Sequence, residues 1–133
     1  AQILALLLEL KSAARGMAMV FVTHNLAIVA EIAERVVVLY AGELVEEGPV
    51  DEVFAAPRHP YTAALLACVP ESDETRLMAI PGVVPAPSEL PDGCRFAPRC
   101  VHADANCHSE HPQIETVAEA RAVRCLKWRE LAA

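Results

Sequence analysis

Ile3, Leu6, Leu7 and Leu10 recur at helical spacing, which predicts an amphipathic helix over residues 2–14 with Gln2, Glu9 and Lys11 on its wet side. Arg15-Gly16 close it, as Gly after a last turn does. Met17 to Val22 is apolar at every position. That pattern predicts a strand buried on both faces of an α/β sheet, not a half-exposed one. The run ends on Thr23 and His24, so His24 is expected at the carboxyl end of a strand, where ligands of such sheets sit. Asn25 predicts a helix cap. Leu26, Val29, Ala30 and Ala33 predict the apolar face of a helix reaching about Arg35. Val36–Tyr40 and Glu43–Glu47 predict a hairpin turned by Ala41-Gly42, with the second strand alternating enough to lie at an edge.

Pro49 and Asp51 predict a further helix that Pro57 stops, and Pro60 opens another, YTAALLACV, closed by Pro70. From there the composition changes. Pro81, Pro85, Pro87 and Pro91 punctuate a charged stretch, expected to be an extended linker with one short strand near Leu77–Ile80. Residues 94–125 hold four cysteines in a polar stretch with Ile114 and Val117 among its few large apolar side chains, so a staple is expected there. Trp128 is expected to pack a closing helix, Cys68 to be a core thiol, and His59 and Tyr61 to form a turn and helix start. Three segments follow: 1–56, 57–93 and 94–133.

Composition narrows the function. The chain has 133 residues and a formal net charge of −7, which argues against nucleic-acid binding, since that needs a basic face. Mean hydropathy is +0.30, yet no uncharged apolar stretch reaches the roughly 18 residues of a membrane span. AQILALLLEL is short, carries Glu9 and lacks a basic flank, unlike a secretory signal. Five cysteines in such a chain point to a reducing compartment, with metal or cluster ligation ahead of disulfides. The apolar helical start at Ala1, without Met, suggests the C-terminal part of a longer protein, and the strand pairing with Met17–Val22 is expected before Ala1.

Two constellations can carry chemistry. An imidazole at His24 can donate to an anionic oxygen; a lone histidine at a strand–helix junction is also often merely structural. Cys94, Cys100, Cys107 and Cys125 are separated by five, six and seventeen residues. Four such thiolates can hold a tetrahedral zinc or a 4Fe–4S cluster, or remain unligated, because the two CxxC knuckles of a zinc ribbon are missing. His102, His108 and His111 are alternative zinc ligands in the same loop. Arg95, Arg99, Arg121 and Arg124 can offset thiolate charge or lie solvated. The sequence contains no G-x-x-x-x-G-K-[ST] phosphate loop.

FVTHNLAIVAEIAERVVVLYAGELVEEG resembles the switch-histidine segment of ABC-transporter nucleotide-binding subunits. RHPYTAALLACVPE and GCRFAPRC resemble the C-terminal extension of the oligopeptide and dipeptide importers among them. The resemblance implies an α/β fold: the C-terminal part of a P-loop NTPase-type sheet with flanking helices, then a small irregular Cys-rich extension. It implies that His24 contacts the γ-phosphate of ATP, held with Mg by residues upstream, and helps position the hydrolytic water. Asn25 stands where many members have Asp. It also implies a 4Fe–4S cluster at Cys94, Cys100, Cys107 and Cys125, with zinc as the alternative, in a structural role. Expected partners are a second ATP-binding subunit and transmembrane permease subunits, at the cytoplasmic face of the inner membrane. Lacking the phosphate loop, signature motif and metal-binding Asp, the chain alone is expected to be an inactive fragment of a peptide or nickel-type importer ATPase. The competing classes are a stand-alone metal-binding module and a structural interaction domain.

Overall fold

The computed structural model describes residues 2–14, 17–68 and 79–131. Helix α1 spans Gln2–Ala13, as its periodicity predicts, but Leu6 and Leu10 are exposed. Among the described residues, its one ion pair to the rest of the chain is Lys11 Nζ to Glu34 at 2.7 Å. Arg15-Gly16 lie outside the described residues.

The run 17–22 corrects the sequence reading. It joins no ladder, and Val20 and Val22 are 92% and 91% exposed. A doubly buried strand needs hydrogen-bonding neighbours on its edges and cover on both faces, and none of the described residues supplies either. Among the described residues His24 therefore stands at a bend after an unpaired segment, not at the end of a sheet strand. Helix α2, Leu26–Ile32, ends short of Arg35; Asn25 caps it as expected, accepting from the amides of Ala27 and Ile28 at 3.1 and 3.3 Å.

Strands β1 (Arg35–Tyr40) and β2 (Glu43–Pro49) form the expected hairpin. Ala41 and Gly42 turn it with φ of +47° and +78°, the doubly left-handed turn whose twist matches that of paired strands. β2 is not an edge, however. The sheet is four-stranded and antiparallel in the order β1-β2-β4-β3, where β3 is Glu115–Ala118 and β4 is Arg121–Val123. Neither of the last two strands is apparent in the sequence. Two of the acidic positions that made β2 look solvent-facing, Glu43 and Glu46, are paired with arginines of the tail, and local periodicity cannot register so distant a partner.

Helix α3, Val50–Ala55, follows Pro49 with Asp51 and Glu52 in its first turn, the end where carboxylates are favoured. It covers the sheet with Val50 and Val53. Helix α4, Pro60–Ala67, starts with Pro at its first position and is capped by His59. Cys68 ends it, half-buried. Pro70 and most of the expected Leu77–Ile80 strand lie outside the described residues; Ala79 and Ile80 themselves form no strand. A short 3₁₀ turn, Ala97–Arg99, and helices α5 (Ala105–Ser109) and α6 (Trp128–Leu131) complete the chain.

Val38, Tyr40, Val45 and Phe96 form the core. Ring centroids of Tyr40, Tyr61 and Phe96 lie 4.7, 5.1 and 5.4 Å apart in tilted or edge-on pairs, each worth about 1 kcal/mol beyond area burial. The Cys-rich tail thus has no separate core of Ile114 and Val117. Ile114 is exposed, while Phe96 and Val123 are buried with the hairpin.

Candidate functional site

The four tail cysteines meet. Cys94, Cys100, Cys107 and Cys125 line one cavity of about 20 Å³, walled also by His59, Phe96 and Lys127. The backbone explains the convergence. The Cys94 amide donates to Cys107 O at 2.9 Å, a crossing so close that a Cβ on Gly93 would lie 2.5 Å from that same oxygen. Cys107 is fixed at the start of α5, where Asp104 caps the helix and accepts from the Cys107 amide at 3.0 Å. Cys125 follows β4. None of these cysteines is in a disulfide.

Burial pushes all four thiols up, Cys125 to about 11. Neighbouring sulfurs add to this at Cys94, Cys100 and Cys125, since a second negative charge in the cavity is unfavourable. Opposing this, the backbone of Phe96 and Ala97 at Cys94, His102 and Ala103 at Cys100, Asp104 at Cys107 and Lys127 at Cys125 favours the thiolates. Burial is the largest of these influences, so the neutral thiols are favoured. Among the described residues, no group of three His, Cys, Asp or Glu side chains is arranged to hold a metal ion; the thiols stand around a shared space instead.

The other expected ligands are engaged elsewhere or turned outward. His111 bridges Gly93 O at 3.1 Å and Glu43 at 2.8 Å. His108 is exposed, and His102 lines the cavity from an exposed position. The four arginines neither face the thiolates as counter-charges nor lie solvated. Arg95 donates to Ala41 O at 2.7 Å, Arg99 to Pro81 O and Ile80 O at 2.8 and 3.0 Å, and Arg124 to Leu44 O and Pro112 O at 2.9 and 3.0 Å. Arg121 is buried against Glu46 at 3.0 Å and also donates to Ala56 O. The cation beside the sulfurs is Lys127, held by Asp104 at 3.0 Å; the Cys107 amide and Lys127 keep Asp104 down at about 2.

Sequence reasoning missed Glu43, Glu46 and the depth of His59. Glu46 is fully buried and accepts from the amides of Arg58 and His59, each at 2.9 Å, besides Arg121. His59 is 1% exposed, and burial lowers it to about 4. It is neutral, accepting from the Tyr61 amide through Nδ1 at 3.0 Å. The available signal was the repeated Cys–Arg adjacency at 94–95, 99–100 and 124–125.

His24 is exposed at the bend before α2 and lies outside the cavity wall. Beside it, Thr23 Oγ1 accepts from the Asn25 amide at 3.0 Å. Among the described residues its ring has no hydrogen-bond partner.

Comparison with known proteins matches residues 45–107 to the family described as oligopeptide/dipeptide transporter, C-terminal region. The chain is 52% identical over 141 residues to a protein of Brucella ovis named as a peptide import ATP-binding protein, covering 100% of this chain and 41% of that one. It is 47% identical over 127 residues to the dipeptide transport ATP-binding protein of Escherichia coli K12, covering 94% and 38%. The chain spans about two fifths of the length of these curated relatives. Residues 45–107 of the chain are thus similar to the C-terminal region of oligopeptide/dipeptide transporter proteins.

Proposed function

We propose that the chain works as part of the ATP-binding subunit of an ABC importer for di- or oligopeptides or nickel-type relatives. The observation that carries this reading is the likeness to peptide import ATP-binding proteins along the entire chain, through the His24 segment and the cysteine tail alike. In this reading ATP and Mg are held between two such subunits by residues of the rest of the protein. His24, with its ring uncommitted to any described partner, donates to a γ-phosphate oxygen and orients the attacking water. Asn25 and Thr23 fix the turn that presents it. No helix among the described residues is long and apolar enough to cross a membrane. Attachment to the cytoplasmic face of the inner membrane then comes through the permease subunits.

In the same reading Cys94, Cys100, Cys107 and Cys125 hold a 4Fe–4S cluster. Four thiols lining one cavity, with backbone groups at the sulfurs that suit thiolates, support this reading, with zinc as the alternative. When bound, the cluster supplies four metal–sulfur bonds that cross-link the tail. The role is structural, since peptide import includes no redox step.

The test is the full-length subunit with His24→Ala, assembled with its permease. ATP hydrolysis and peptide uptake should both fall by about 100-fold or more, the scale of losing a positioned catalytic group. Unchanged turnover and uptake would end the role of His24.

A further inference from the structure

Three of the four cysteines have an arginine as chain neighbour, and each of those arginines binds the segment leading into the tail or the β1–β2 hairpin, not the sulfurs. Arg95 and Arg124 share one further partner. Glu43, at the start of β2, lies 3.5 Å from Arg95 Nε and 3.5 Å from Arg124 Nε. It also meets His111 Nε2 at 2.8 Å, while the other nitrogen of that ring contacts Gly93 O. Gly93 and Arg95 flank Cys94, and Arg124 precedes Cys125. One carboxylate therefore grips the chain on both sides of the first cysteine and immediately before the last. Glu43 itself is mostly enclosed.

We propose that Glu43 is a positioning residue for the cysteine centre, fastening the loops of Cys94 and Cys125 to the hairpin that follows the switch-histidine segment. This rests on the reading that the four cysteines hold a cluster. Without the carboxylate, two guanidiniums and an imidazole are left facing one another with no counter-charge. The loops then spread and the thiols lose their common orientation. Outer partners that orient ligands are worth about 10- to 100-fold in metal affinity. Coupling is reciprocal: a loaded centre also stabilises the hairpin that holds it.

The full chain, reconstituted anaerobically with iron and sulfide, provides the test. The comparison is between the unvaried chain, Glu43→Gln and Glu47→Gln; Glu47 lies on the same strand and, among the described residues, forms an ion pair with Arg35 alone, at 3.9 Å. The readouts are iron and sulfide per chain, the rate at which a chelator bleaches the visible absorption, and the paramagnetic resonance of the reduced centre. Bleaching should be about tenfold faster in Glu43→Gln, with a displaced resonance, and unaltered in Glu47→Gln. Glu43→Asp, which keeps the charge, should restore much of the retention. If Glu43→Gln does not fold, His111→Asn and Arg124→Lys each remove one contact and should each speed bleaching by a smaller factor. Bleaching at the unvaried rate in these variants, or faster bleaching with an unmoved resonance, overturns the positioning role and leaves the centre standing. Zinc without iron in the unvaried chain overturns the cluster, and the role of Glu43 is then read from zinc release. No metal uptake at all overturns both.

Discussion

Glu46 carries a full charge into the sheet and is balanced there by one guanidinium and two amides. A buried pair is a poor source of net stability, but breaking one is costly because the survivor stays desolvated. Glu46→Ala leaves Arg121 enclosed, and the structure should lose about 3–5 kcal/mol, read from urea unfolding. His59 imposes a different dependence. Its folded value, about 4, lies below its ordinary 6.5, so the unfolded chain binds more protons between those values. Stability due to neutral His59 is complete above pH 6.5 and declines as pH falls towards 4. The decline is at most about 3 kcal/mol for a shift of this size. Acid titration of the metal-free chain should show that slope, and His59→Asn should flatten it.

Local signals wrote much of the element list. The 3.6-residue period of α1, the Asn25 cap, the Ala41-Gly42 turn and the prolines before α3 and α4 all act within one or two turns of chain, where sequence is informative. β3 and β4 escaped because they are short, and because β4 brings a buried arginine into the sheet. Arg121 reads as surface until Glu46 is known to face it. The cysteine set was legible as a list of residues, whereas the carboxylates that hold it were not, since each meets its partners only in the folded chain. For Met17–Val22 composition registered apolar character correctly, but burial is a property of neighbours. Val20 and Val22 are left almost wholly exposed, so the purified chain should self-associate at micromolar concentration. Val20→Lys with Val22→Lys should lower its light scattering markedly without changing its circular dichroism.

At the scale of the whole molecule, one sheet is assembled from both ends of the described chain. The hairpin contributes β1 and β2, and the tail contributes β4 and β3. Phe96 ties the tail into the hairpin core, and the Glu43 and Glu46 clusters clamp the same joint. Leu6 and Leu10 of α1, and Val20, Phe21 and Val22 of the run after it, are exposed. In the importer reading, the remainder of the ATP-binding subunit is what covers them.

Placing β4 beside β2 has a consequence for biosynthesis. Arg121 lies 75 residues beyond the Glu46 it neutralises. While a ribosome is still making the intervening chain, the newborn hairpin waits with one flank unpaired and its acid without a counterion. Such delayed pairing is where nascent chains stick to one another. A message cut short before that arginine codon would release a polypeptide that proteases should clear quickly.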